Sequence, residues 1–172
     1  MNNFIFHNPT RLIFGKDTIG KIGNELNTAG IKKVLMLYGK GSIHKNGVYD
    51  KVLQSLNEQN IEVTEIGGIK PNPVLSKVDE AIKAGREAQV DAVLGVGGGS
   101  VIDTAKAVAA GILYQGDIWD AFEGRVAVND SLPIYAVLTL SATGSEMNGF
   151  AVITKEEECK KWAFSAGIKS YP

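Results

Sequence analysis

The chain has 172 residues, with 18 Lys and Arg against 19 Asp and Glu for a formal charge of -1, and 44% of it is hydrophobic. That is globular composition in the length of one ordinary domain, or one domain and a piece of another, and the near-zero charge, with no Lys/Arg cluster interleaved with aromatics, argues against a nucleic-acid surface. No run approaches the roughly 20 apolar residues of a membrane span, no basic and apolar leader opens the chain, and one cysteine (Cys159) with two histidines (His7, His44) points to a reducing cytoplasm and leaves a metal or acid–base centre short of its commonest ligand.

Taken in chain order, Phe4-Ile5-Phe6 and Arg11-Leu12-Ile13-Phe14 read as two short strands around Asn8-Pro9-Thr10. Asp17 is placed to cap a helix that runs to about Thr28 and stops near Gly30. Residues 33–38 form an apolar strand, followed by the turn Gly39-Lys40-Gly41-Ser42. Residues 48–58 have helical periodicity, with Val48, Val52, Leu53 and Leu56 on one face, and 61–66 alternate like a strand. A loop at 67–73 precedes a helix at 76–88. A polar, acidic loop with Trp119 and Phe122 leads to a strand at 134–138 and the polar turn at 139–146. Residues 150–154 and 160–166 read as an antiparallel pair.

The most informative stretch lies between, at 92–111. Ala92 to Val96 is short, apolar and β-branched, as a buried parallel strand is. Gly97-Gly98-Gly99 removes every Cβ from the following turn. Ser100 then reads as the N-cap of an alanine-rich helix, with Asp103 three residues on as a capping-box acid. The run has two readings: a tight turn whose glycines serve packing, or an anion site in which bare helix N–H groups receive a pyrophosphate. It is neither GxGxxG nor GxxxxGK[ST]. Strands alternating with helices predict an open, mostly parallel α/β sheet with helices on both faces, and ligands in such sheets bind at the carboxyl ends of the strands. The chain stops at Ser170-Tyr171-Pro172 without a closing helix, so a domain cut short at that end is expected.

Several segments carry a family resemblance. They are Asn8-Pro9-Thr10-Arg11, Phe14-Gly15, the stretch 38–47 (Tyr-Gly-Lys-Gly-Ser-Ile-His-Lys-Asn-Gly), Pro71-Asn72-Pro73, the Gly97-to-Asp103 run and the stretch 139–148. In that order, over nearly the whole chain, they resemble the N-terminal half of the iron-containing (group III) alcohol dehydrogenases, in the butanol dehydrogenase and broad aldehyde reductase branch. Glycerol dehydrogenase and dehydroquinate synthase relatives share the glycine turn; the Asn-Pro start and Thr143-Gly144-Ser145-Glu146 favour the alcohol dehydrogenases. The resemblance implies a Rossmann-like fold of the dehydroquinate synthase-like superfamily. It also implies an NAD(P)(H) cofactor and a second, helical domain whose Asp and three His hold Fe²⁺ or Zn²⁺. Those ligands would fall beyond Pro172, so residues 1–172 are expected to be the dinucleotide-binding domain alone, with no catalytic or metal-ligating residue of its own. The function expected is the cofactor half of an enzyme moving hydride between NAD(P)H and a small aldehyde. The alternatives are a fragment that binds NAD(P) without catalysis, or a glycerol dehydrogenase-like relative.

Site residues follow. Gly98, Gly99 and Ser100 are expected to meet the pyrophosphate through backbone N–H groups and the Ser100 hydroxyl. Asp103 has two readings: an acid balancing the helix dipole or, by resemblance, a residue near the nicotinamide. By resemblance Thr139 and Thr143 run along the adenosine and pyrophosphate, Asn148 and Lys161 face the ribose side, and Asn72 of the Pro-Asn-Pro motif is a further cofactor-binding residue. The bland alternatives are local turn chemistry for the hydroxyls and a solvated surface lysine for Lys161. Gly39, Ser42 and Lys45 follow the strand at 33–38, where the adenosine ribose is expected. No acid stands there to bind a 2′-OH; a hydroxyl flanked by Lys40 and Lys45 suits a 2′-phosphate instead, unless both lysines merely solvate the loop. NADP(H) is therefore expected over NAD(H). His7 and His44 are expected at the surface, Cys159 without a catalytic partner, and 155–161 as a solvated hairpin edge. The partners expected are a small-molecule dinucleotide and, as one arrangement, a second copy in a homodimer, with no nucleic acid and no membrane.

Overall fold

In the computed structural model, which describes residues 3–5 and 7–172, the glycine-ended strand β3 (Ala92–Gly97) is buried at every position. It can be so because it lies inside a four-stranded sheet of order β2-β1-β3-β4, formed with β1 (Lys33–Tyr38), β2 (Glu62–Ile66) and β4 (Ile134–Leu138). All three pairings are parallel. Alternate side chains of β1 divide between two cores, as the period of two in a strand requires. Val34 and Met36 join Leu94 and Val96 against α1 (Ile22–Thr28) and α3 (Val48–Glu58) on one face. Leu35 and Leu37 join Val93 against α4 (Leu75–Ala88) and α5 (Gly99–Leu113) on the other. These four β1 side chains are fully buried, each worth about 1.5–3 kcal/mol, which is why the run is continuously apolar instead of alternating. At the amino edge, Asp91 Oδ2 accepts the Lys32 and Lys33 N–H groups, both at 2.8 Å, and pins β1 beside β3. The carboxyl edge is left for loops.

A two-stranded antiparallel hairpin, β5 (Ala151–Lys155) and β6 (Lys160–Phe164), packs on the α4–α5 face. It is tied down by the Thr154 N–H on the Pro73 carbonyl at 2.8 Å. Trp119, fully buried, stacks on Phe122 and on Trp162 of β6, with ring centroids 5.1 and 5.9 Å away. That contact makes the expected loop here a short helix, α6 (Trp119–Phe122). No helix among the described residues is long and apolar enough to cross a membrane.

Three other expectations are corrected. The N-terminal strands do not form: residues 3–5 and 7–14 have no regular structure, and Phe6 lies outside the described residues. Phe4, Ile5 and Phe14 are exposed, and no strand among the described residues pairs with them. This arm is held instead by Asn8 Nδ2 on the Met147 carbonyl at 2.9 Å and by an Arg11–Glu25 ion pair at 2.7 Å. Asp17 has a left-handed φ of 57° and caps nothing with its side chain; a 3₁₀ turn, Thr18–Lys21, leads into α1. Finally, the N-cap of α5 is Gly98, not Ser100. The helix begins two residues earlier than the hydroxyl suggests, so Asp103 is no capping-box acid. Ser100 instead lies within the first helical turn.

Candidate functional site

The strand order makes a switch point. The chain leaves β1 toward β2 through α3 on one face and leaves β3 toward β4 through α5 on the other, and the carboxyl ends of β1 and β3 at such a point are where open α/β sheets take ligands. Three turns emerge along this edge: 39–42 after β1, 97–100 around the start of α5, and 139–145 after β4. The helix α2 (Ser42–Lys45) begins directly after the first, with Ser42 and Lys45 exposed. The third is joined to the second where the Thr139 N–H meets the Gly97 carbonyl at 3.0 Å.

The α5 N-terminus is shaped by closeness. A Cβ on Gly97 would lie 2.6 Å from Val101 Cγ2, and one on Gly99 would lie 2.2 Å from Thr143 Oγ1 and 3.1 Å from Ser145 Oγ. These glycines are therefore packing residues as well as turn residues. Thr143 Oγ1 and Ser145 Oγ are 2.9 Å apart, which puts a pair of hydroxyls against the first turn of the helix. Val101 and Ile102 donate back to the Gly98 carbonyl at 3.0 and 3.2 Å, whereas the Gly99 and Ser100 N–H groups have no backbone acceptor among the described residues. Such groups carry the positive end of the helix dipole.

Behind the hydroxyls lies a polar cluster. Asp103 Oδ2 accepts the Val152 N–H at 3.2 Å. Its Oδ1 is buried without a hydrogen-bond partner. Burial pushes the Asp103 carboxyl above its ordinary range, against the pull of Ser145, Lys106, the Val152 N–H and Lys161. Lys106, fully buried, donates to Asn148 Oδ1 at 3.1 Å and to the Phe150 carbonyl at 2.9 Å. Asn148 Oδ1 also accepts the Phe150 N–H at 2.9 Å, and its Nδ2 donates to the Gly144 carbonyl at 2.8 Å. Its amide therefore keeps one N–H for anything bound beside it. Lys161 Nζ donates to Asn72 Oδ1 at 2.8 Å, across 89 residues of sequence. Asn72 holds a left-handed φ of 55°.

Three members of this neighbourhood escape sequence reasoning: Lys106, Ser145 and Glu65. The first leaves a trace, a lone lysine in the apolar run Thr104-Ala105-Lys106-Ala107-Val108. Glu65 comes from the end of β2. Tyr49 donates its hydroxyl to both Glu65 oxygens, at 2.9 and 3.1 Å, and this bond pushes the phenol up to about 12. The Tyr49 ring lies 4.2 Å from His44 and 5.8 Å from Tyr38, beside the turn after β1. The turn itself carries no acid, but the pairing of β1 with β2 brings Glu65 to Tyr49 beside it. No group of three or more His, Cys, Asp or Glu that could hold a metal occurs among the described residues. His7 and His44 are exposed and far apart in sequence.

Residues 9–171 match the family profile of the iron-containing alcohol dehydrogenases. The chain is 48% identical over 168 residues to the probable NADH-dependent butanol dehydrogenase 2 of Bacillus subtilis, covering 98% of this chain and 43% of that protein. It is 42% identical over 167 residues to the NADPH-dependent aldehyde reductase YqhD of Escherichia coli, covering 95% of this chain and 42% of that one. The crystal structure of NADH-dependent butanol dehydrogenase A from Thermotoga maritima superposes with a TM-score of 0.97 at 60% identity, over 100% of this chain and 43% of its own. The chain thus spans less than half the length of the relatives it matches.

Proposed function

The chain belongs to the iron-containing alcohol dehydrogenase family, in its butanol dehydrogenase and aldehyde reductase branch, and from that premise we propose that residues 1–172 form a domain that binds NAD(P)(H) across the carboxyl ends of β1, β3 and β4. One observation carries the reading. Turns from three separate strands converge on a helix start whose Gly99 and Ser100 N–H groups lack backbone acceptors and whose Gly99 leaves no room for a side chain. That arrangement fits a pyrophosphate.

In this reading Gly98, Gly99 and Ser100 hold the pyrophosphate, with Thr139 and Thr143 beside it. Gly39, Ser42 and Lys45 bind the adenosine ribose. Asp103, Asn148, Asn72 and Lys161 line the other end, where one Asn148 N–H, the orphaned Asp103 oxygen, the Asn72 amide N–H groups and two Lys161 ammonium protons keep hydrogen-bonding capacity. The dinucleotide supplies a hydride; this chain fixes its position and keeps a polar, partly dry surface beneath it. NADP(H) is favoured over NAD(H) because Ser42 sits between Lys40 and Lys45, although the relatives named for NADH, at 48% and 60% identity, stand nearer this chain than the one named for NADPH, at 42%. The full reaction, hydride transfer to a small aldehyde, belongs to the longer relatives. The described residues supply no ligand set for a metal, so no step here is assigned to one.

Calorimetric titration of the 172-residue chain with NADPH and NADH tests the proposal. Saturable binding of both, tighter for NADPH, is expected, without turnover of a small aldehyde in the presence of Fe²⁺ or Zn²⁺. A folded chain that binds neither dinucleotide at millimolar concentration refutes it.

A further inference from the structure

Lys106 is a full-length cation sealed inside an apolar helix face, and its hydrogen-bond partners, Asn148 Oδ1 and the Phe150 carbonyl, are both neutral. Burying an ammonium against neutral acceptors is costly, and a well-packed hydrophobic residue of similar volume often does as well or better for stability. The lysine is therefore poorly explained as a packing residue. Its two acceptors lie where the segment after β4 turns back to enter β5. Through Asn148 it reaches the Gly144 carbonyl, next to the Thr143–Ser145 hydroxyl pair that rests on Gly99.

We propose that Lys106 is a positioning residue of the dinucleotide site: it clamps Asn148 and the Phe150 carbonyl, and so fixes where the 139–150 segment stands over the start of α5. The proposal rests on the dinucleotide reading for its effect on binding, but the clamp itself is a property of the fold. Asp103 on the same helix and Glu146 in the Ser145–Met147 turn are the charges facing Lys106, and Lys161 on β6 acts on Asp103. Burial outweighs both acids and brings the Lys106 ammonium down to about 8. A neutral amine keeps two N–H donors, enough for both acceptors. Raising the pH through 8 therefore removes the charge and leaves the clamp. Lys106 lies seven residues from Gly99, or about 10 Å along the helix, so losing its charge should weaken binding of an anionic dinucleotide by about threefold.

The test compares the parent chain with Lys106→Met and Asn148→Ala, by amide hydrogen exchange and by NADPH titration at pH 7 and pH 9. Exchange in residues 139–150 should accelerate at least about tenfold in Lys106→Met while β1 and β3 stay protected. NADPH affinity should fall about tenfold at pH 7. The parent should lose about threefold in affinity between pH 7 and 9, and Lys106→Met should lose none. Unchanged exchange and unchanged affinity in Lys106→Met overturn the proposal, as does a pH dependence that persists in this variant. Should Lys106→Met fail to fold, Asn148→Ala decides, since it removes one acceptor at a partly exposed position; slow exchange at 139–150 in this variant refutes the clamp. Should the parent bind no dinucleotide, the functional reading falls, and the exchange data still judge the clamp.

Discussion

Gly99→Ala is the sharpest probe of the crevice. Its backbone is ordinary helix, so an alanine meets no conformational strain there and gains helix propensity, worth up to about 0.5–1 kcal/mol. The obstacle is contact: the new Cβ lands 2.2 Å from Thr143 Oγ1. Normal separation requires the hydroxyl to retreat by more than an ångström, and Thr143, branched at Cβ and bonded to Ser145, has few rotamers in which to do so. The turn itself must lift. Overpacking of this kind costs about 1–3 kcal/mol, so the net loss of stability should be about 1–2 kcal/mol. Dinucleotide affinity should fall by at least about tenfold, because the methyl and the displaced turn both intrude on the helix start. Thr143→Ala in the same chain removes the clashing atom and leaves the milder Ser145 contact at 3.1 Å. The double variant should therefore recover about 1 kcal/mol relative to the sum of the single ones. Thermal unfolding and dinucleotide titration of the four proteins measure this. Strict additivity, or Gly99→Ala binding like the parent, would show that the turn does not close on the anion site.

Ser100→Trp should abolish dinucleotide binding with an unchanged far-ultraviolet circular dichroism spectrum, since the side chain lies in the first turn of α5; retained affinity places the phosphates elsewhere. Ser42→Asp should reverse a preference for NADPH that amounts to about 1–2 kcal/mol after solvent screening, and Glu65→Gln should shift the ratio toward NADPH; dissociation constants that ignore both changes refute a 2′-reading turn. The last expectation concerns pH. The Lys106 ammonium is held at about 8, below its ordinary 10.5, so the folded chain gives up that proton before the unfolded one does. The charge-burial cost is thus complete below pH 8 and is relieved as pH rises toward 10.5, by about 2 kcal/mol once discounted for screening. Denaturant midpoints of the parent should therefore rise between pH 8 and 10 relative to Lys106→Met; a parallel course for the two proteins contradicts this.

The periodic elements were legible because burial writes itself into residue type. Val48, Val52, Leu53 and Leu56 share a helix face, and both 33–38 and 92–96 read as strands because a sheet covered on two sides needs unbroken apolar runs. Ser100 misled because a hydroxyl after glycines looks like a cap, whereas an extended Gly98 starts the helix without one. The segments 4–6 and 11–14 have strand-like composition, but strand formation is decided by a partner that composition does not name. Of the site, the glycine turn was expected; the contact of Asn72 with Lys161 was not, because 89 residues separate them. Glu65 was not, because sixteen residues separate it from Tyr49 and only the β1–β2 pairing brings it near the turn. Lys106 was passed over because a charge in an apolar helix acquires meaning only when its acceptors, 42 and 44 residues away, are in place.

The parallel order β2-β1-β3-β4 also governs how this surface comes into being. Parallel neighbours cannot be joined by a tight hairpin; Val34 must find Val63 on one side and Ala92 on the other, and β3 must wait for Ile134. Such long-range pairings are slow to form. The crevice draws on turns following three of these strands, so no partly folded chain can present it. Occupancy then becomes a report of completed folding, and a dinucleotide at a hundred times its dissociation constant would hold the finished sheet by about 2.7 kcal/mol, acting on the late, non-local steps that β1 and β4 make the bottleneck.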